Sequence, residues 1–369
     1  CALPISRSTF VDCMKALKED ARLALEGLPW EYGDAAEMQR LSAKYAGADQ
    51  GKVTRVFGAN FIGRMSGKVV EAFVAKADLL AASPAYSDQS GVDWKTAAAS
   101  AAKVLNHIGG VDGMDPTGWT WYCNVDDIEK LSPTESPAEI LWRGERAKSL
   151  SLEEDNFPPT LYGNGRINPT QNLVDAFPML NGYPVSHLSG EYDENLPYAN
   201  RDPRLEAYIL YNGCKAGNTN KEIFTAADGT TNDALNKVVG RSTRTGYYLR
   251  KLLRQDISLD PNAKADQYHY TPRIRYTEIF LAYAEAANQA YGPQDKGGNG
   301  YSAYDVVKKL RHRAGIGRDN GDAYLESIKN DQAKMAELIR NERRIELCFE
   351  GFRFWDLRRW KSNLTETAK

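Results

Sequence analysis

Apolar residues recur at helical spacing in several stretches near the start of the chain. Positions three and four apart share one face of an α-helix, so each stretch predicts an amphipathic helix. Ser8 and Asp93 are suitable N-caps, and Gly27 and Gly109 are suitable stops. The apolar stripes are Phe10, Met14, Leu17, Ala21 and Leu25 in residues 8–27, Val69, Val70, Phe73, Ala77 and Leu80 in residues 66–82, and Trp94, Ala97, Ala101, Leu105 and Ile108 in residues 94–110.

The helices at 66–82 and 94–110 are alanine-rich and joined by a short loop, which predicts an antiparallel helical hairpin. A second hairpin is predicted from residues 276–291 and 302–316, and a further long helix from residues 331–350. Each hairpin combines a small-residue helix, a proline-containing loop and a final glycine, as in tetratricopeptide-type repeats. The pattern therefore predicts a mainly α-helical fold.

The region between the hairpins, at 110–272, is rich in Gly, Pro, Asn, Asp and Tyr and has few periodic runs. This composition predicts turns and long ordered loops. The segment LEAYILYNG at 205–213 is the clearest predicted strand, and Trp142 lies in EILWRGER, which alternates like a strand and suggests a core ring. Loops on a rigid scaffold commonly carry function, so we expect a loop-rich binding face with a few short strands.

Charge and composition narrow the class of function. Lys and Arg total 47 against 49 for Asp and Glu, and this near balance argues against nucleic acid as a partner. No apolar run approaches the roughly 20 residues that span a bilayer. The chain shows no catalytic-triad or phosphate-loop motif, and its histidines lack metal-ligand spacing, so no cofactor is expected. The cysteines, also without such spacing, are Cys1, Cys13, Cys123, Cys214 and Cys348.

The segment NERRIELCFEGFRFWDLRRW, at 341–360, interleaves acids, arginines and aromatic rings. Glu342, Glu346 and Glu350 recur one helical turn apart, a spacing that could suit a glycosidase. Neighbouring arginines lower a carboxyl pKa, which is wrong for a general acid, so structural ion pairs and a non-enzymatic protein are predicted. The expected partners are Arg343, Arg344 and Arg353, and the rings expected to clamp the segment after Gly351 are Phe352, Phe354, Trp355 and Trp360.

The loop sequence GWTWYCNVDD, at 118–127, is the best candidate for contact with a sugar. Aromatic rings stack on the flat apolar faces of sugars, and amides and carboxylates bond the hydroxyl groups. In an extended segment Trp119 and Trp121 would face the same way. The alternative is that these rings pack the loop against the helices, since large aromatic side chains are usually buried. The candidate ligand-binding residues are Trp119, Trp121, Tyr122, Asn124 and Asp126.

Two other loop features are weaker candidates. Tyr268 and Tyr270 flank a predicted loop in QYHYTPR. Asn200 and Asp202, in YANRDPR, suggest a calcium site, but the alternating acids and final Glu of an EF-hand are missing. Asp202 before Pro203 is better explained as the cap of a turn. No catalytic or metal-binding residue is therefore assigned.

Several motifs resemble signatures of the SusD/RagB family and occur in the same order. NERRIELCFEGFRFWDLRRW resembles its C-terminal signature, and NPTQNLVDAFPMLNGYPV with ENLPYANRDPRLEAYILYNG resembles its central signature. GRMSGKVVEAFVAKADLLAASPAY and RIRYTEIFLAYAEAANQAYG resemble its helical-repeat segments. The resemblance implies a SusD-like fold with tetratricopeptide-like hairpins. It also implies a surface-exposed outer-membrane lipoprotein that captures glycans, sometimes peptides, for a SusC-like TonB-dependent transporter.

The chain departs from the family at both ends. Family members usually have a long segment before the part that resembles CALPIS, and they continue past the tryptophan that resembles Trp360. We therefore expect a fragment in which Cys1 is internal and the lipid-bearing cysteine lies upstream of it. One intertwined globular unit is expected, with helical-repeat parts at 1–109 and 273–369 and a loop-rich, ligand-binding part at 110–272.

Together, the residues and the resemblance predict a lipid-anchored protein of the cell outer membrane that binds oligosaccharides by stacking and hydrogen bonding. Three alternatives stay open. A peptide-binding relative would use the same fold with fewer stacking rings, and a helical-repeat scaffold would bind a partner on its hairpins. A glycoside hydrolase would need paired acids in a cleft.

Overall fold

The computed structural model describes residues 7–45 and 48–365, so Cys1 lies outside the described residues. The α-helices of this part are α1 Phe10–Gly27, α2 Ala35–Lys44, α3 Gln50–Phe57, α4 Gly67–Ala82, α5 Ser87–Ser90, α6 Trp94–Asn106, α7 Val125–Ile128, α8 Ser151–Asn156, α9 Gln171–Ala176, α10 Pro203–Tyr208, α11 Tyr276–Tyr291, α12 Ala303–Ala314, α13 Ala323–Ile328, α14 Gln332–Glu346 and α15 Phe352–Arg359. Short 3₁₀ helices lie at Ala59–Phe61, Gly110–Gly113, Gly118–Thr120, Pro159–Leu161 and Leu188–Gly190. The strands are β1 Ile140–Ser149, β2 Ile209–Leu210, β3 Cys214–Ala216, β4 Lys221–Ile223, β5 Tyr248–Leu249 and β6 Gln267–Arg275.

The helical part is built around α11, in which every residue from Thr277 to Asn288 is buried. Helix α6 packs against α4 and α11, and α11 also packs against α12 and α14. Alanines on α6 and α11 allow this close approach because they add little width to the helix. The mainly α-helical fold and its two packed helix pairs, α4 with α6 and α11 with α12, are confirmed.

Local capping signals fix where several helices begin. The side chain of Asp93 accepts a hydrogen bond from the backbone N–H of Thr96 at 2.8 Å and starts α6 as predicted. Ser302 and Asp305 form a reciprocal capping box at the start of α12. Helix α1 differs slightly, because Thr9 rather than Ser8 is its N-cap. These caps satisfy backbone N–H groups that have no partner inside the helix.

The buried face of α4 is rotated from the predicted stripe. Val69 and Val70 are buried as predicted, but Phe73 and Leu80 are exposed. The core contacts instead come from small residues such as Ala72 and Ala75. The alanines lie inside because α6 approaches α4 too closely for larger side chains.

Strands β1 and β6 pair antiparallel into a two-stranded ribbon, with register shifts in β1 between Ile140 and Arg146. Strands β2 and β5 form a second pair, and β3 and β4 a third. The prediction of one strand at 205–213 is wrong. Asp202 caps a helix that has Pro203 at its first turn, so α10 takes the first half of this segment and only a short strand follows.

Two further hydrophobic clusters support the middle of the chain. One surrounds Phe177 and Tyr208 and includes Ile345 and Cys348 from the C-terminal signature. The other surrounds Tyr248. The division of the chain at 109 and 272 stays a prediction. Among the described helices, none is both long and apolar enough to cross a membrane.

Candidate functional site

The loop at 118–127 is coiled rather than extended. Gly118–Thr120 forms a 3₁₀ helix, and α7 begins at Val125 after a turn. The prediction that Trp119 and Trp121 face the same way as in a strand is therefore wrong. Residues two apart point to different sides in such a helical turn.

The rings of this loop lie mainly in the interior. Trp121 is 4% exposed and Tyr122 is 5% exposed, and their rings meet edge to face with centroids 5.6 Å apart. The hydroxyl of Tyr122 donates a hydrogen bond to the carbonyl of Ala207 at 3.1 Å. Trp119 is half-buried, and its carbonyl accepts a hydrogen bond from Tyr208. These contacts fit the alternative in which the rings pack the loop against the fold.

The polar candidates lie on the outer side of the same loop. Asn124 is half-buried and donates a hydrogen bond to Asp127 from its side-chain amide. Asp126 is exposed at the start of α7. The structure thus separates Asp126 from the buried ring of Trp121. Ligand contact by the five predicted residues stays a prediction.

Trp121 and Tyr122 do border a cavity, which we call the ribbon cavity. It has a volume of about 500 Å³ and lies between this loop, the β1–β6 ribbon and the start of α15. Such a volume falls within the range of small-ligand sites, roughly 300–1,000 Å³. The side chains that define it are Trp121, Tyr122, Glu145, Leu252, His269, Tyr270, Arg273, Glu278, Glu350 and Phe352.

Two polar atoms of the ribbon cavity's lining residues have no hydrogen-bond partner among the described residues. They are the indole Nε1 of Trp121, which is a donor, and the carboxylate Oε2 of Glu278, which is an acceptor. The other oxygen of Glu278 pairs with Lys76 at 2.8 Å. Burial raises the pKa of Glu278. Buried polar atoms normally have partners, so these two are unusual.

Arginines stack on the rings of the ribbon. The guanidinium of Arg146 lies 3.7 Å from the centre of the Tyr268 ring and donates to the Tyr270 hydroxyl at 3.1 Å. Arg273 lies 4.6 Å from the centre of the Trp142 ring. Tyr268 and Tyr270 lie on β6, so the prediction that they flank a loop is wrong. These contacts lie along the ribbon, of which Tyr270 and Arg273 line the cavity.

A buried charge network lies behind the ribbon cavity. Arg204 donates to Asp202 and Glu342, both at 2.7 Å, and Arg275 donates to Glu139 at 2.7 Å and Glu350 at 2.8 Å. Because the cavity's Glu350 is also part of this network, the network fixes that side of the cavity. Its members are Glu139, Asp202, Arg204, Lys251, Arg275, Arg311, Arg313, Asp322, Glu342, Glu346 and Glu350.

The electrostatics of Glu346 are those of a structural ion pair. Its burial acts to raise the carboxyl pKa, but the charges of Arg313, Arg204 and Arg275 outweigh that effect and lower the pKa to about 2. A carboxylate held ionised in this way cannot serve as a general acid near neutral pH. Among the described residues, no group of three or more His, Cys, Asp or Glu is arranged to hold a metal ion.

The C-terminal signature forms ion pairs as predicted, with different partners. The cations that pair with Glu342 and Glu346 come from distant segments, whereas Arg343 pairs with Asp356 at 3.1 Å. Trp360 is buried and donates to Glu285. The predicted clamp is wrong for two other rings, since Phe354 is 52% exposed and Trp355 is 64% exposed on α15.

The sequence alone does not single out several of the residues that line the ribbon cavity. His269, Arg273 and Phe352 were not candidates for ligand contact, although all three line it. The alternation of residues in QYHYTPRIR is the local signal that could have predicted a strand at 267–275. Nothing local indicates that this strand pairs with residues 140–149, which lie far away in sequence.

The geometry therefore defines a class of mainly α-helical proteins with an aromatic cavity beside a β-ribbon. The sequence profile of the SusD family matches residues 142–369. The chain belongs to the SusD family.

One curated relative is similar to this chain in sequence, and two solved structures are similar to it in fold. SusD-like protein P38 of Formosa agariphila is 33% identical over 85 residues, which are 23% of this chain and 16% of that protein. The crystal structure of a SusD-like protein from Bacteroides fragilis is 25% identical with a TM-score of 0.65, and it matches 98% of this chain and 62% of its own length. A SusD-like carbohydrate-binding protein of the same organism is 20% identical with a TM-score of 0.61, over 96% of this chain and 68% of its own. The chain thus spans less than two thirds of the first of these structures.

Proposed function

We propose that this protein binds oligosaccharides at the cell surface and passes them to a SusC-like TonB-dependent transporter. The observation that carries the proposal is the ribbon cavity, which combines aromatic walls with unpaired polar atoms in a member of the SusD family. The similarity in fold to a SusD-like carbohydrate-binding protein supports the same class of ligand.

The chemistry of the cavity suits a sugar. Trp121, Tyr122, Tyr270 and Phe352 supply apolar surface for the C–H faces of a pyranose ring. Trp121 Nε1 can donate to a hydroxyl group, and the carboxylate of Glu278 can accept from one. Capture then requires no covalent step, only stacking, hydrogen bonding and the exclusion of water.

The ligand site is tested by isothermal titration of the purified protein against a panel of neutral and acidic oligosaccharides and a peptide library. We expect a glycan to bind, and we expect the double variant Glu145→Ala, Arg273→Ala to bind it at least about fivefold more weakly, a loss of about 1 kcal/mol. Both side chains are exposed at the cavity, so their removal spares the core.

The matched control is Arg55→Ala, which removes an exposed arginine from α3, outside the ribbon cavity. A second variant, Trp121→Phe, keeps an aromatic ring but removes the unpartnered Nε1, and it too should weaken glycan binding. Equal affinity of all variants would exclude the ribbon cavity as the site. Binding of peptides with no binding of any glycan would favour the peptide-binding alternative.

We further propose that the protein has no hydrolase activity. The carboxylates of the signature are neutralised by buried cations, and Glu346 stays ionised. Glu278 is the one cavity acid whose raised pKa could suit a general acid, which makes it the residue to test. Release of reducing ends from a bound glycan, abolished by Glu278→Gln, would contradict this proposal.

Lipid anchorage and the transporter partnership are tested in the native host. We expect the full-length protein to fractionate with the outer membrane, to be accessible to extracellular protease and to co-purify with a SusC-like transporter. Recovery in the soluble fraction, or co-purification without any transporter, would contradict this part of the proposal while leaving glycan binding open to its own test.

A further inference from the structure

A second cleft lies on the helical side of the molecule and shares no lining residue with the ribbon cavity. Its volume is about 720 Å³. It lies between the 3₁₀ helix Gly110–Gly113, the glycine-rich loop after α11, and α12. We call it the lysine cleft, after Lys296, Lys308 and Lys309 in its lining.

Most of the lysines in the lysine cleft have no acidic partner among the described residues. Lys296 and Lys309 form no ion pair with any residue in the described ranges 7–45 and 48–365, while Lys308 pairs with Glu326 and bonds to Tyr304. His312 adds a polar ring to the lining. Of the two acids in the lining, Asp305 already accepts hydrogen bonds from the backbone N–H and hydroxyl of Ser302. Asp112 is exposed. The cleft therefore offers more free cationic groups than free carboxylates.

One buried polar atom of the cleft's residues also lacks a partner within the described part of the chain. It is the hydroxyl of Tyr301, a residue that is 8% exposed. The Tyr301 ring is fixed between Tyr283, whose centroid is 4.7 Å away, and Gly110, where an added Cβ would lie 2.6 Å from the ring. Burial raises the pKa of Tyr301, so its hydroxyl keeps its proton and can donate.

We infer that the lysine cleft binds a small ligand that carries an anionic oxygen group, either a carboxylate or a sulfate. The free groups at this site are donors and cations, which match the acceptor oxygens of such an anion. Lysine provides an adaptable point charge rather than a fixed bidentate fork, so the site does not require one particular oxyanion geometry. The volume leaves room for a sugar-sized molecule attached to the anionic group.

The inference does not depend on what the ribbon cavity binds. It is tested by titrating the protein with sodium sulfate, sodium D-glucuronate and D-glucose at constant ionic strength, with chemical shifts of a ¹⁵N-labelled sample as the readout. We expect saturable shifts in residues around Tyr301 and Lys309 with the anions and none with glucose. Similar affinity for sulfate and glucuronate would indicate a site for the anionic group alone, and tighter binding of glucuronate would indicate a sugar acid.

Two variants separate the site from general charge effects. Lys309→Gln with His312→Gln should weaken anion binding about tenfold or more. Tyr301→Phe, which removes only the unpartnered hydroxyl, should weaken it about twofold to fivefold. The control Lys15→Gln removes an exposed lysine from α1 and should bind like the parent protein.

Three results would overturn the inference. They are the absence of saturable shifts with either anion, equal binding of glucose and glucuronate, and equal weakening in Lys15→Gln and the double variant. Circular dichroism and thermal melting of every variant ensure that a loss of binding is compared only between folded proteins.

Discussion

The carboxylate of Glu346 lies among arginines that come from three different parts of the chain. Its oxygens are 3.1 Å from Arg204, 3.5 Å from Arg313 and 3.8 Å from Arg275. All of these side chains are buried, so solvent screens their charges weakly. Loss of this negative charge would leave the positive charges of the arginines unpaired in the interior. An unpaired buried charge strongly destabilises a folded protein.

The variant Glu346→Gln should lower the free energy of unfolding by about 3–5 kcal/mol, the usual cost of removing one partner from a buried pair. Urea unfolding followed by circular dichroism measures the change. The matched control is Glu19→Gln on α1, where Glu19 pairs with Arg22 at the surface and the midpoint should stay unchanged. Equal behaviour of the two variants would contradict the structural role of Glu346.

Some properties of single residues can be predicted from the sequence, and others cannot. The caps at Asp93 and Asp202 could be predicted, because the side chain bonds to backbone groups two or three residues away. The burial of Trp121 could not be predicted, since the hydrophobic cluster to which it belongs includes Ile345 and Cys348 from the far end of the chain. A tryptophan in a polar loop looks the same in sequence whether it faces solvent or core.

At the scale of elements, the long helices followed from the sequence, and the strand-like alternation of EILWRGER is confirmed by β1, but the pairing of the strands did not follow from it. Helix α11 has the predicted bounds, because its periodicity and small residues are local signals. Strand β6 was not predicted, since it depends on pairing with β1, which is distant in sequence. Ile140 of β1 pairs with Arg275 of β6. The ribbon cavity depends on this long-range pair, so the sequence indicated its aromatic residues without showing how they assemble.

Helix α6 offers a direct test of a capping signal. Asp93→Ala should destabilise the protein by about 1 kcal/mol, because the N–H of Thr96 loses its acceptor at the start of the helix. Asp93→Asn retains an acceptor oxygen and should keep most of the stability. Thermal unfolding of the two variants beside the parent measures this difference. Equal losses would mean that the charge of Asp93, rather than its hydrogen bond, stabilises α6.

At the scale of the whole molecule, the buried charge network joins elements that belong to different parts of the sequence. It connects α10 with α14 through Arg204 and Glu342, and the end of β6 with the segment before β1 through Arg275 and Glu139. A second buried pair of Arg359 with Glu285 ties α15 to α11. The scaffold around both cavities is thus held by ionised side chains as well as by apolar packing.

This network should make the protein sensitive to acid. The folded pKa of Glu346 is about 2 against an ordinary value of 4.5, so its ionised form contributes about 3 kcal/mol at neutral pH. That contribution is complete above about pH 4.5 and is lost as the pH falls toward 2. Burial raises the pKa of Asp202 and Glu278, so protonation of these two partly offsets the loss.

We therefore expect the urea midpoint to change little between pH 7 and pH 5 and to fall progressively below about pH 4.5. Glu346→Gln should show a shallower fall over the acid range, because it lacks the titrating group. A parent protein with the same urea midpoint at pH 3 and pH 7 would contradict the linkage between Glu346 and stability.

The buried charge network also constrains the order in which the chain can fold. Arg204 and Glu342 are 138 positions apart, and Arg275 and Glu139 are 136 positions apart. These pairs form only after long loops close, whereas the helical hairpins can form from nearby residues. A compact chain with the wrong docking would have to bury these charges without their partners, at a cost of several kcal/mol for each ion. The network therefore disfavours misfolded compact states, because its buried charges are paired only when the distant segments dock correctly.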